Sequence, residues 1–158
     1  MALARSYPFR KTYPVGTKWR YSSGMLHAAY DYLTPMGTDV LAVRDGVIID
    51  CHEGENPNSP GSNYPGEPSN WILLGYKNAL GQWRTVYYQH LTDHLVTKGQ
   101  KVKAGQHIGN TGNSGNSTGA HCHIHVMKGW RTRDQRYWNY KALYRIYPPS
   151  LVWAKTSL

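Results

Sequence analysis

Phenylalanine occurs once in these 158 residues, cysteine twice, and acidic side chains nine times against eighteen Lys and Arg. Two cysteines, Cys51 and Cys122, are too few for a disulfide framework. Cys122 alternates with histidines, so it is expected to face the core as a buried free thiol, with a 51–122 bridge as the alternative. No apolar run reaches the length of a membrane span, and Met1 to Lys11, which carries Arg5, Arg10 and Lys11, holds no secretory apolar core. Export by a signal of its own is therefore not expected. Long helical periodicity is also missing, which argues against a helical bundle.

What is plentiful is turn chemistry and polar aromatics: 16 Gly, 9 Pro, 13 Tyr and 6 Trp. Hydroxyl and indole donors prefer a partly wet setting, which suits a grooved, loop-rich β protein. The length allows one hydrophobic core, so residues 1–158 are expected to form a single catalytic domain. Strands are expected at Tyr30–Leu33, Asp39–Val43, Gly46–Asp50, Asn70–Tyr76, Trp83–Leu91 and His121–Lys128, with hairpin turns at Asp45-Gly46 and Asn78-Ala79-Leu80-Gly81. The fold class this predicts is all-β, mainly antiparallel, with few short helices. Residues 51–69 are too long for an ordinary connection and too polar for a core, and are read as a wall of the substrate groove, with a mobile surface loop as the alternative. The basic, aromatic tail of 130–158 is expected to hold one short helix that Pro148-Pro149 stops.

Histidines carry the chemistry. His27 and Asp31 would lie about 13 Å apart on an extended strand, so the chain has to bend between them if they share a ligand. His121, His123 and His125 alternate, placing three imidazoles on one face about 6.6 Å apart, while Cys122, Ile124 and Val126 form the buried side. Spacing leaves open whether the active pair is 121/123 or 123/125, and His123 belongs to either. His90 ends a strand-like run near a sheet rim. His52, His94 and His107 have no supporting pattern and are read as loop or surface residues. His52-Glu53 is not the start of HExxH, because Asn56 stands where the second histidine is required. Two imidazoles and a carboxylate make a three-ligand zinc site whose fourth position holds water with a pKa near 7. The reaction further needs a base, oxyanion donors and an acid, roles that imidazole can fill.

Two blocks resemble the lysostaphin-type (LytM-like) zinc endopeptidases that cut peptidoglycan peptides. The first is Leu26-His27-Ala28-Ala29-Tyr30-Asp31 through Pro35-x-Gly37-Thr38-x-Val40-x-Ala42-Val43-x-Asp45-Gly46-Val47. The second comprises Tyr88-Gln89-His90-Leu91, then Val96-x-x-Gly99-Gln100-x-Val102-x-x-Gly105-Gln106-x-Ile108-Gly109. It closes with Gly112-x-Ser114-Gly115-x-Ser117-Thr118-Gly119-Ala120-His121-Cys122-His123. Together they span about residues 26–126. The resemblance implies a fold of the duplicated-hybrid-motif type with a substrate groove, one Zn2+ per chain held by His27, Asp31 and His123, and catalytic roles for His90 and His121. The sequence departs from the family at Ala120, Cys122 and His125, where proline, leucine and an acidic residue are common, and at Ala28-Ala29, where glycine is frequent.

The expected function is therefore zinc-dependent hydrolysis of peptide bonds in peptidoglycan by a monomer that needs no membrane. A non-catalytic wall-binding or hydrolase-activating module on the same scaffold is the alternative. Net charge of +9 favours a polyanionic partner such as an anionic wall polymer. Nucleic acid is not expected, because no recognised motif accompanies the charge and the 19 Tyr and Trp. With no export signal expected and a substrate outside the membrane, a phage lysin or virion-associated enzyme is expected, or a domain cut from a larger secreted chain.

Overall fold

The computed structural model describes residues 4–58, 68–136 and 144–154. Short runs rich in β-branched and aromatic residues form the strands. In chain order these are β1 Tyr30–Tyr32, β2 Asp39–Leu41, β3 Gly46–His52, β4 Asn70–Lys77, β5 Trp83–His94, β6 Lys101–Val102, β7 His107–Thr111, β8 Cys122–Lys128 and β9 Arg145–Ile146. All their pairings are antiparallel, in a sheet ordered β1-β8-β5-β4-β3-β6, with β7 on β2 and β5 and β9 on β8. Short 3-10 turns occur at Arg133–Gln135 and Pro149–Leu151. The architecture is thus all-β and mainly antiparallel, as expected. No helix among the described residues is long and apolar enough to cross a membrane.

Alternation along the central strands divides the side chains between two faces. Cys122, Ile124 and Val126 of β8, Val86 and Tyr88 of β5, and Ile72 and Leu74 of β4 enter the larger core, which Tyr7, Phe9, Val152 and Trp153 help close from the two ends of the chain. Tyr87, Met127, Leu73, Trp71 and Ile49 form a smaller cluster on the opposite face. Covering both faces explains why seven of the eight residues of β4 are buried. His123 and His125 alternate with the core residues of β8, so they share a face with the smaller cluster.

Several expectations are corrected. Asp45-Gly46 is not a hairpin turn, because β2 pairs with β7 while β3 pairs with β4 and β6. Its glycine serves close packing instead: a Cβ at Gly46 would stand 2.1 Å from the Gly75 carbonyl oxygen. The Asn78 turn does connect β4 to β5, closed by Asn78 N–H on Gln82 O at 3.0 Å. Strands β6, β7 and β9 were not anticipated, and His52, His94 and His107 lie in strands, each half-buried. Cys51 and Cys122 are both free, and Cys122 is buried. Pro149 opens a 3-10 turn, a position that its fixed φ and missing N–H suit, and a helix upstream of it would fall in 137–143, outside the described residues. Residues 59–67 of the 51–69 loop and 155–158 of the tail also lie outside them.

Candidate metal and proton-transfer site

Two bulges build the site. The amides of His27 and Ala28 both donate to the Trp19 carbonyl, at 2.7 and 3.0 Å, and Ala28 takes a left-handed φ of 47°. Two residues opposing one bend the chain and bring His27 over Asp31. Arg145 fastens the bend, with Nη1 donating to the carbonyls of His27 and Ala28 at 3.1 Å each. Asp31 on β1 is the register partner of His123 on β8. The second bulge lies in β5, where Asn70 faces Leu91 but Trp71 faces Gln89, leaving His90 out of the ladder at φ 66°. There β5 exchanges one neighbour for another: Gln89 pairs with His123 of β8 and Leu91 with Thr111 of β7. Non-glycine residues rarely occupy this region, and they concentrate at functional sites.

Asp31 Oδ1, His27 Nε2 and His123 Nδ1 form a nearly equilateral triangle with sides of 3.2 Å. Ligand atoms held about 2.0–2.1 Å from a tetrahedral zinc ion stand about 3.3–3.4 Å apart. The hydrogen bonds behind the triangle show that both of its nitrogens are bare. His27 Nδ1 lies 2.6 Å from Lys18 O, an atom that can only accept, so the proton of a neutral His27 is on Nδ1. His125 Nε2 donates to Arg136 O at 2.8 Å, leaving its Nδ1 to accept from His123 Nε2, also at 2.8 Å. Three lone pairs therefore converge on one point, and Asp31 Oδ1 is buried with no donor aligned to it. Such an arrangement repels itself unless a proton or a cation sits among them, and the donor set suits zinc.

His90 and His121 adjoin the triangle. Their ring centres are 4.5 Å apart, and His90 is 6.2 Å from His123. His90 Nδ1 donates to Ser114 O at 2.6 Å and His121 Nδ1 to Gly119 O at 2.7 Å. Each neutral ring thus keeps its Nε2 unprotonated, and that of His121 lies 3.9 Å from Asp31 Oδ1. Burial, followed by the neighbouring His121 and His123, pulls the His90 pKa down to about 3. Burial likewise lowers His123 to about 4 against the opposing pull of Asp31. For Asp31, burial favours the neutral acid, but once the His123 and His27 rings carry a proton toward it, their hydrogen bonds and charge outweigh burial and hold the carboxyl well below the usual range.

All five residues singled out in the sequence, His27, Asp31, His90, His121 and His123, are brought together. His52, His94 and His107 are elsewhere, bonded to Glu55, Val96 O and Asn110. Sequence reasoning missed His125 and Arg145 as supports. The alternation of 121, 123 and 125 was a signal for the first; nothing in the tail pointed to the second. Segment 55–58 borders the site, with Asn113 N–H on Pro57 O at 2.7 Å and Glu55 N–H on Asn70 Oδ1 at 2.9 Å.

A family model described as Peptidase family M23 matches residues 25–136. Peptidoglycan DD-endopeptidase ShyA of Vibrio cholerae serotype O1 is 34% identical over 128 residues, 73% of this chain and 26% of that protein. Lysostaphin of Staphylococcus simulans is 34% identical over 115 residues, 73% of this chain and 20% of that protein. The chain thus spans about a quarter of the length of these curated relatives. Among solved structures, lysostaphin in solution matches with a TM-score of 0.62 at 30% identity, over 83% of this chain and 50% of that one. A zinc-containing peptidase from Vibrio cholerae matches with a TM-score of 0.60 at 28% identity, over 79% and 36%.

Proposed function

The chain belongs to peptidase family M23, and from that premise we propose that it is a zinc metalloendopeptidase acting on peptide bonds of bacterial peptidoglycan. His27 Nε2, Asp31 Oδ1 and His123 Nδ1 hold one Zn2+ in this proposal, and His90 and His121 orient water and move protons. The observation that carries it is the 3.2 Å triangle of three convergent lone pairs. Names of relatives supply the substrate class, since ShyA is a peptidoglycan DD-endopeptidase and ALE-1 of Staphylococcus capitis a glycyl-glycine endopeptidase.

Bound zinc would supply Lewis acidity and bring the pKa of a coordinated water to about 7. The chain's own residues do the rest. His90, neutral at physiological pH and anchored through Nδ1 to Ser114 O, keeps Nε2 bare to accept a hydrogen bond and orient the attacking water. His121, anchored the same way to Gly119 O, offers a second Nε2 beside Asp31. One imidazole takes a proton from the attacking water and, as imidazolium, donates toward the carbonyl oxygen as negative charge develops there. The C–N bond then breaks and that proton goes to the leaving amine. Segment 55–58, docked beside Asn113, supports a role for the 51–69 loop as one wall of the groove.

Purified sacculi test the proposal. The zinc-loaded protein is expected to release new amino termini, and fragment masses identify a cleaved glycine bridge or a bond at a D-amino acid. His123→Ala is expected to lose stoichiometric zinc and at least about a hundredfold in rate. Full metal content and activity in that variant contradict the ligand set. Intact sacculi with the wild-type protein point instead to a binding or hydrolase-activating module.

A further inference from the structure

We infer that His125 is a positioning residue that fixes the tautomer of His123, so that His123 Nδ1 stays bare and available to a metal ion. The inference rests on the proposed zinc site and extends it by one residue. His125 is fully buried, and its ring lies parallel to Tyr87, 4.8 Å between centres at an angle of 7°. That stack holds the imidazole edge-on between two partners. On one side Nε2 is 2.8 Å from Arg136 O, an acceptor only, so the Nε2 proton is fixed. On the other side Nδ1 is consequently an acceptor, 2.8 Å from His123 Nε2.

Without this partner His123 has a competing choice. Its Nδ1 is 3.2 Å from Asp31 Oδ1, and a carboxylate that close would draw the ring proton onto Nδ1. A proton there blocks the atom that completes the triangle. With His125 present, moving the proton to Nδ1 would set two lone pairs against each other across 2.8 Å in a buried place. The relay from Arg136 O through His125 to His123 therefore excludes the metal-blocking tautomer. The three other site histidines reach the same end more directly, each with Nδ1 on a backbone carbonyl, those of Lys18, Ser114 and Gly119. His123 lies on a strand with its Nδ1 turned inward, and needs a side chain to take its outer proton.

The test uses the metal-free chain with 15N-labelled histidine and three proteins: wild type, His125→Phe and His125→Gln. Phenylalanine keeps the stack on Tyr87 and removes both hydrogen bonds, whereas a Gln oxygen can accept from His123 and its amide donate to Arg136 O. Long-range 1H–15N spectra are expected to show His123 protonated at Nε2 in wild type and in His125→Gln, and shifted toward Nδ1 in His125→Phe. Zinc affinity, by chelator competition, is expected to fall about 10–100-fold in His125→Phe and to be largely restored in His125→Gln. Protonation of wild-type His123 at Nδ1, or unchanged zinc affinity in a folded His125→Phe, overturns the inference. If wild type shows the Nε2 tautomer but takes up no zinc, the proposed ligand set fails while the relay stands. Should His125→Phe not fold, the wild-type tautomer still decides.

Discussion

Neutral imidazoles packed around one ionised carboxylate give this site a definite response to acid. In the metal-free protein His90 titrates at about 3 and His123 at about 4, both pulled down chiefly by burial, against about 6.5 in an unfolded chain. As pH falls below about 6.5 the unfolded state takes up protons that the folded state refuses, so stability falls with falling pH. Asp31 adds to the loss further down, because its carboxyl stays ionised in the fold after the unfolded carboxyl, near 3.9, has been protonated. Stability of the metal-free chain is therefore expected to be full above about pH 7 and to drop by a few kcal/mol by pH 4. Urea midpoints measured from pH 4 to 7 check this, and a flat profile would show that neither histidine is held neutral by the fold. At this scale the sequence was informative about which side chains meet, since His27, Asp31, His90, His121 and His123 carry recognisable spacing. It was silent about what aims them. Three of the four histidine anchors are the carbonyls of Lys18, Ser114 and Gly119, and every residue has a carbonyl, so no residue type marks them. His125 was visible in the alternation, but its role depends on Arg136 O, eleven residues away.

Elements were legible where alternation was strong and illegible where glycine did the packing. The six expected strands all exist, with β5 running three residues past its expected end and β3 two. The missed strand β7 reads His107-Ile108-Gly109-Asn110-Thr111, whose Gly109 and Asn110 look like a turn. A Cβ at Gly109 would stand 2.8 Å from Asp93 O, so that glycine admits a neighbouring strand rather than reversing the chain. Gly46 was misread for the same reason, its use being the passage of β3 against Gly75 of β4. Gly46→Ala drives a methyl to 2.1 Å from a backbone oxygen, which no rotamer change relieves. The expected cost is at the top of the usual overpacking range, about 3 kcal/mol, read as a lowered urea midpoint. Gly81→Ala at the exposed hairpin is the contrast: no atom lies within 4 Å, and only the positive φ of 76° opposes the substitution. A loss in Gly46→Ala no larger than that in Gly81→Ala would mean that β3 and β4 part without cost.

At the scale of the whole molecule, chain ends and charge decide how the site is carried. Tyr7 and Phe9 near one end and Val152 and Trp153 near the other enter the same core, with Trp153 Nε1 donating to Tyr32 OH at 3.2 Å, which supports one folding unit over the described residues. The whole chain carries a net charge of +9. If an anionic wall polymer is the partner, the charge raises the local concentration of enzyme at its substrate without entering the bond-breaking step. Screening separates the two contributions, because the Debye length shrinks from about 14 Å at 50 mM to about 4 Å at 500 mM salt, whereas groups 3.2 Å apart in a buried triangle are little affected. Activity on sacculi is therefore expected to fall about tenfold across that range through a rise in apparent KM, with kcat held. Cleavage of a short uncharged peptide carrying the same bond is expected to change less than about twofold. Equal losses on both substrates would place the salt effect at the active site, and no loss on either would leave the positive charge without a part in substrate capture.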